Sequence, residues 1–103
     1  MNNSYFFDQF ELRPGERLLL RRGEPVHIGP RTFDFLLCLA SNHQRVVGKE
    51  EILQTVWPGM VVEENNLTVQ TSALRKILGN QAIATLTGRG YQFSLPVRHS
   101  TAG

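Results

Sequence analysis

The sequence predicts an α+β domain with an N-terminal antiparallel sheet, a core of three helices and a C-terminal β-hairpin. Two observations support this order of elements. Residues 5–28 alternate short apolar runs with Pro and Gly turn signals, which is typical of short antiparallel strands. From Pro30 to Leu78, apolar residues recur instead at the three- and four-residue spacing of helices.

Helical periodicity places three helices between the sheet and the hairpin. One apolar helix face is predicted from residues at the spacing i, i+3, i+4 and i+7: Phe33, Leu36, Leu37 and Ala40. Pro30 suits the first turn of that helix, because the N–H that proline lacks has no partner there. The predicted helices run from Pro30 to Asn42-His43, from Gly48 to Pro58-Gly59, and over residues 64–78 with Gly79 as the C′ residue.

The C-terminal part contains a second turn between strand-like segments. Residues 83–87 and 91–95 are predicted strands, and Gly-Arg-Gly at 88–90 forms the tip between them. The polar residues 98–103 are expected to be a frayed tail or the start of a linker. This leaves residues 1–97 as the folded domain.

Composition limits the class of protein. The length of 103 residues, with 41% hydrophobic and 19% charged residues, is typical of one globular domain. Cys38 is the single cysteine, so an intramolecular disulfide is excluded. No apolar run is long enough to predict a membrane span, and Asp8 and Glu11 interrupt the position of a secretion signal. We therefore expect a cytoplasmic location.

The charges are distributed unevenly along the chain. The first 64 residues contain all nine acidic residues and seven Lys or Arg, a formal charge of 7 − 9 = −2. The remaining residues contain four cations and no acid, a formal charge of +4. This asymmetry indicates a polyanion bound on one side, although chance in a short segment is the alternative.

Three helices followed by a hairpin is the element order of a winged helix-turn-helix, in which the third helix enters the major groove. Leucines and one threonine of that helix fall within an arc of about 60° that must face the core. The members of this stripe are Leu67, Thr71, Leu74 and Leu78. The opposite side lacks the long Glu–Lys pairs of a solvated face; it carries Asn65, Thr68, Val69, Ser72, Ala73, Arg75 and Lys76.

Both the outer face of the third helix and the hairpin tip allow two interpretations. Asn, Ser and Thr can bond to base edges, and Val69 either touches a thymine methyl group or packs against the hairpin or a neighbouring domain. The tip at Gly88-Arg89-Gly90 is either a plain tight turn or a close approach to DNA. In the second case, Arg89 reaches a phosphate or the minor groove.

Several segments together are close to diagnostic of one family. They are Gly29-Pro30 with Phe33, Lys49 to Leu53 with Val56-Trp57, Val62-Glu63-Glu64, Leu67-Thr68-Val69, Leu74-Arg75-Lys76, and Gly88-Arg89-Gly90-Tyr91-Gln92-Phe93. Over nearly the whole chain the sequence resembles the C-terminal DNA-binding domain of OmpR/PhoB-type response regulators, which CadC- and ToxR-like regulators also carry. The resemblance implies a four-stranded N-terminal sheet, a three-helix core and a C-terminal wing.

The resemblance also implies sequence-specific binding of double-stranded DNA in transcription regulation. Positions where family members contact DNA correspond to Asn65, Thr68, Gln70, Ser72, Ala73 and Arg75 on the helix, and Thr85, Thr87 and Arg89 on the wing. Asn66, Val69 and Lys76 complete the predicted contact set. The loop from Pro58 to Glu63 is implied to touch RNA polymerase, through Pro58, Gly59, Met60 and Val61. No cofactor, metal or membrane contact is expected.

This chain departs from well-known members by having few arginines on the third helix, where Arg75 and Lys76 are the only cations. Fewer cations release fewer counterions, so one isolated domain should bind weakly. We therefore expect dependence on Arg89 and on a second copy at repeated half-sites. No phospho-acceptor receiver domain is present among these residues. The polar end after Pro96 suggests an N-terminal effector domain cut from, or tethered to, a longer regulator.

Two other classes of function remain as alternatives. A winged helix used for protein interaction without DNA binding would present Val69 together with the apolar residues 60–62 as a docking patch. An enzyme has little support, because the three histidines show no metal-ligand spacing and Cys38 lies near a buried helix face. Adjacent Glu pairs on a helix point apart rather than towards one substrate.

Overall fold

The computed structural model describes residues 2–102, and its largest sheet joins the two ends of this segment. All neighbouring strands are antiparallel, in the order β4-β3-β2-β1-β7. The strands are β1 Asn2–Phe7, β2 Phe10–Arg13, β3 Leu18–Arg21, β4 Glu24–Pro25 and β7 Arg98–Ala102.

One face of this sheet packs against the helices. Phe10 and Leu12 of β2 are buried, whereas Glu11 and Arg13 point to the opposite face. Arg13 Nε lies 2.8 Å from a carboxylate oxygen of Glu11 on that outer face. The alternation follows from the two-residue period of a strand, which places successive side chains on opposite faces.

Three helices form the centre of the molecule: α1 Pro30–Ser41, α2 Lys49–Val56 and α3 Asn65–Leu78. Helix α1 packs against both others, and its Phe35, Leu36 and Leu39 have no exposed surface. Gly79 ends α3 with a φ of +105°, a conformation that side chains disfavour. Among residues 2–102, no helix has the length and apolar character needed to cross a membrane.

A separate β-hairpin, called the wing below, follows α3. Its strands are β5 Ile83–Leu86 and β6 Gly90–Phe93. Val47, between α1 and α2, forms an antiparallel bridge with Tyr91, with N···O distances of 2.7 and 3.0 Å. A Cβ at Gly90 would lie 2.1 Å from the Val47 carbonyl oxygen, so any side chain here would clash with the bridge.

The α+β winged helix-turn-helix architecture agrees with the prediction, including the N-terminal sheet, the three-helix core and the wing. Helix α3 begins at Asn65, one residue later than predicted, and α1 ends at Ser41, before the predicted Asn42-His43. Helix ends depend on local caps rather than on periodicity, so differences of this size are expected.

The structure differs from the prediction over residues 98–102, within the segment 98–103 that the sequence indicated as a frayed tail or linker. Arg98–Ala102 form strand β7 and pair with β1, which gives five strands rather than the four that the resemblance implied. The His99 ring stacks on Tyr5 with centroids 4.4 Å apart. We therefore propose that the domain extends beyond residue 97 through β7; Gly103 lies outside the described residues.

Candidate nucleic-acid interface

The inner stripe of α3 is buried as predicted. Leu67, Thr71, Leu74 and Leu78 all face the core. The Thr71 hydroxyl donates to the Leu67 carbonyl oxygen at 2.7 Å, so this buried polar group has a partner within the helix. Because the stripe is fixed by the core, the rotation of α3 is fixed as well, and its opposite side must face outward.

That outward side carries short side chains in contact with solvent. Val69 is 56% exposed despite being apolar. No acidic residue occurs in α3, because Glu64 precedes it as the N-cap residue. The exposed side chains, called the recognition face below, are Asn65, Thr68, Val69, Ser72 and Lys76, while Asn66, Gln70, Ala73 and Arg75 lie half-buried at its margins.

Two of the marginal residues are partly engaged within the chain. The Gln70 side-chain oxygen accepts a hydrogen bond of 2.5 Å from the Thr32 hydroxyl of α1. The Asn66 amide group donates to the Glu63 carbonyl oxygen at 3.1 Å. Gln70 therefore links α3 to α1, and its amide NH₂ group has no hydrogen-bond partner among residues 2–102. Asn66 helps to order the start of α3.

Arg75 joins α3 to the wing. Its Nη2 donates to the Ile83 carbonyl oxygen at 2.7 Å and to the Thr85 hydroxyl at 3.2 Å. Its Nε is buried and has no hydrogen-bond partner among the described residues. Part of this guanidinium is thus used to hold strand β5 against the helix, which sets the position of the wing relative to the recognition face.

The wing tip presents one exposed cation. Thr87, Gly88 and Arg89 form the loop between β5 and β6, and the Arg89 N–H donates to the Leu86 carbonyl oxygen at 2.9 Å. Gly88 has a φ of +77°, and Gly90 is required by its approach to Val47. Both glycines are thus explained by the chain itself. The wing can contact a partner through its exposed side chains, which are Thr85, Thr87 and Arg89.

The loop between α2 and α3 exposes two apolar side chains, while Val62 packs half-buried against the core. Met60 is 55% exposed and Val61 is 105% exposed, while Pro58 and Gly59 are exposed at the end of α2. Gly59 has a φ of +72°, which turns the chain sharply after the helix.

Cys38 and Glu51, two side chains of a kind that can act in catalysis, are both engaged within the fold. Cys38 is buried, and desolvation raises the pKa of its thiol, which disfavours the nucleophilic thiolate. Glu51 is held by Arg45 at 2.5 and 2.9 Å, and this pairing lowers the pKa of its carboxyl. Among residues 2–102, no three His, Cys, Asp or Glu side chains are placed to share a metal ion.

Two side chains that position α3 carry no signal in the sequence. Besides Thr32, which bonds to Gln70, Arg21 of β3 donates from Nη2 to the Ile77 carbonyl oxygen at 2.6 Å. That contact satisfies one of the carbonyls left free at the C-terminus of α3. The partners are 38 and 56 residues apart in sequence, so no local pattern signals either contact.

Comparison with known proteins identifies the family. A family model described as "Transcriptional regulatory protein, C terminal" matches residues 23–93. The transcriptional regulator HilA of Salmonella typhi is 36% identical over 100 residues, covering 93% of this chain and 18% of HilA. This chain thus spans less than a fifth of the length of that relative.

Two solved structures share the fold. The DNA-binding domain of CadC from Escherichia coli matches with a TM-score of 0.80 and 27% identity, covering 92% of this chain and 94% of the other. The RstA DNA-binding domain of Klebsiella pneumoniae, in complex with the RstA box, gives a TM-score of 0.74 and 26% identity, covering 88% and 96%. The chain therefore belongs to the OmpR/PhoB-type family of transcriptional regulatory DNA-binding domains, with a winged-helix fold.

Proposed function

We propose that this domain binds double-stranded DNA sequence-specifically in transcription regulation, with α3 in the major groove and the wing against the backbone or minor groove. The observation that supports this most directly is a single surface in which Arg75 links the recognition face to the wing that carries Arg89. This arrangement suits simultaneous contact with a groove and its flanking phosphates.

Within this surface, we assign base contacts to short polar and apolar side chains and phosphate contacts to cations. Asn can bond adenine through two atoms, and Val69 can touch a thymine methyl group. Arg75 contributes chiefly by holding the wing. The proposed contact residues are Asn65, Asn66, Thr68, Val69, Gln70, Ser72, Ala73, Arg75, Lys76, Thr85, Thr87 and Arg89.

Affinity is proposed to depend on paired binding. The recognition face carries Lys76 as its cation, with Arg75 at its margin partly engaged by the wing. Each phosphate neutralised contributes about 0.9 to the slope of log K against log salt, so few contacts give weak and less salt-dependent binding. Two copies on repeated half-sites would double the contacts, and selection of bound duplexes should recover two spaced repeats.

Binding to duplex DNA is tested by fluorescence anisotropy over a series of salt concentrations. A duplex selected from a random pool should bind more tightly than either of its single strands. Arg89→Gln should reduce the salt slope by about 0.9, the loss of one phosphate contact. Arg13→Gln removes the same charge from the outer face of the sheet and should leave affinity unchanged. Equal binding of duplex and single strand would contradict the proposal.

For the α2–α3 loop, we propose contact with RNA polymerase through Pro58, Gly59, Met60 and Val61. The support is the exposure of two apolar side chains beside the recognition face in sequence. We also propose a cytoplasmic location and a non-enzymatic role without cofactor or metal, as suits a domain that binds DNA in transcription regulation.

A second candidate is a winged helix that docks a protein and does not bind DNA. Met60, Val61 and Val69 favour it, because large exposed apolar side chains commonly mark interaction surfaces. Failure of the wild-type domain to bind any duplex at low salt would favour this candidate over the first.

A further inference from the structure

The cations of this chain fall into two groups according to whether a carboxylate neutralises them. Those in ion pairs are Arg13, Arg17, Arg31, Arg45 and Lys49. Among the described residues, those without an ion pair are Arg21, Arg22, Arg75, Lys76, Arg89 and Arg98. Arg21 and Arg22 are thus the unneutralised cations of the otherwise acidic N-terminal part.

These two arginines lie beside the C-terminal end of α3. Arg21 bonds to the Ile77 carbonyl oxygen at 2.6 Å, and the Arg22 N–H donates to the Gln9 carbonyl oxygen at 2.9 Å. With Lys76, both arginines line an open cleft between the end of α3 and the turns that follow β1 and β3. The sheet therefore brings two cations next to a helix whose own cations are few.

The cleft is continuous with the recognition face through Lys76. Lys76 is exposed and lies four residues after Ser72, so the two side chains occupy the same side of α3. A polyanion lying along the recognition face would therefore reach the cleft at the C-terminal end of the helix.

The backbone at Arg22 is unusual for a long side chain. Arg22 and Gly23 have φ angles of +50° and +82° and form the tight turn between β3 and β4. Turns with two positive φ angles favour Asn-Gly, because most side chains disfavour this conformation. The turn conformation therefore does not favour an arginine here. Arg17 shares the conformation, with a φ of +52°, but is paired with Asp34, whereas Arg22 has no ion pair among the described residues.

The charge of the cleft suits phosphate groups. Arg21, Arg22 and Lys76 oppose the single carboxylate of Asp8, which leaves 3 − 1 = +2 among the charged residues lining it. Duplex DNA that continues past the bases contacted by α3 carries a phosphate about every 3.4 Å on each strand. Such a backbone would supply regularly spaced anions to this end of the molecule.

We propose that Arg22 and Lys76 bind backbone phosphates of the duplex that flanks the site contacted by α3. The DNA-binding surface then extends from the helix and the wing to the N-terminal sheet. Arg21 acts as a positioning residue, because its bond to Ile77 holds the β3–β4 turn beside α3. This inference rests on the proposed function, and it adds cations that the recognition face lacks.

The test compares Arg22→Asn with the wild type on two duplexes at several salt concentrations. One duplex ends at the selected site, and the other continues for about five base pairs, half a helical turn, at either end. Asn tolerates the backbone at this turn, so the variant should unfold at the same or a higher temperature than the wild type. Arg13→Gln serves as the control of equal charge.

The expected result is a loss specific to the extended duplex. Arg22→Asn should bind it about fivefold to tenfold more weakly at 0.1 M salt, with a slope reduced by about 0.9, and bind the short duplex like wild type. Unchanged affinity and slope on the extended duplex, or an equal loss on both duplexes, would overturn the inference. Absence of wild-type binding to any duplex would instead overturn the proposed function and this inference with it.

Discussion

At the scale of single residues, Arg75 shows how a predicted contact residue can act through its neighbours. Its guanidinium bonds to Ile83 and Thr85, and its Nε is buried without a partner among the described residues. A lysine keeps the charge but lacks the planar group that reaches both oxygens. Substitution by lysine at position 75 therefore tests how much the placement of the wing contributes to DNA binding when the charge is kept.

Arg75→Lys should lower the free energy of unfolding by about 1–2 kcal/mol, since hydrogen bonds from a charged group are lost. It should also weaken DNA binding, because the wing is no longer held at a fixed position. Chemical denaturation and anisotropy measure the two effects. The matched change Lys76→Arg, at an exposed position, should leave stability unchanged; equal behaviour of both variants would contradict the account.

Gly90 provides a second test at a single residue. Gly90→Ala should destabilise the domain by about 2–4 kcal/mol, because its Cβ would meet the Val47 carbonyl oxygen at 2.1 Å and its φ is +148°. Gly15→Ala is the control, since no heavy atom lies within 4 Å of the added Cβ. Thermal unfolding of both variants checks this, and a near-neutral Gly90→Ala would show that the bridge is not rigid.

The sequence singles out Gly90 and Arg75 as candidate positions, but it does not indicate the contacts that they make within the fold. The Gly-Arg-Gly tip was consistent with a plain turn or with close approach to DNA, and the actual neighbour of Gly90 is Val47, 43 residues earlier in the numbering. Local patterns report backbone preferences and periodicity. They do not report which distant backbone a residue will meet.

At the scale of elements, the sequence predicts a helix or strand best where burial of one face requires apolar residues at regular spacing. The stripe of α3 was identified because leucines recur on one face, and Thr71 takes its place in that stripe with a partner at Leu67. Strand β7 was missed because Arg98–Ala102 are mostly polar and pair at the sheet edge with β1, far away in sequence. An edge strand buries few side chains, so its sequence need not show the apolar alternation that predicts a strand.

Two exposed valines distinguish the proposed roles of α3 and the preceding loop. Val69→Ala should weaken binding to the selected duplex, and the loss should shrink when thymine at the contacted position is replaced by uracil, which lacks the methyl group. Val61→Ala, the same change in the α2–α3 loop, should leave DNA affinity unchanged and reduce transcription with purified polymerase. Equal effects of the two variants on DNA affinity would contradict this division.

At the scale of the whole molecule, two ion pairs outside the proposed DNA-binding surface contribute to the stability of the fold. Arg45 lowers the pKa of Glu51, and Arg13 lowers that of Glu11. A carboxyl whose pKa is depressed in the folded state contributes stability above its unfolded pKa. That contribution is lost as the pH falls through the lowered value.

Glu51→Gln should therefore be less stable than wild type at neutral pH; the difference should shrink as the pH falls below the ordinary value of 4.5 and vanish below the lowered pKa of the folded state. Because both partners are exposed, the effect should be small. Denaturation at a series of pH values measures it. Glu50→Gln, which removes a neighbouring carboxylate that has no ion pair among the described residues, is the control for the loss of one negative charge at this end of α2.

In the whole molecule, α3 and the wing are proposed to form one DNA-binding surface. Backbone amide chemical shifts, measured as a selected duplex is added, test this most directly. We predict saturable shift changes concentrated in residues 65–76 and 85–89, with changes at Arg22 when the duplex is extended. Changes centred on Met60 to Val62 with α3 unaffected, or no saturable change at low salt, would contradict the account.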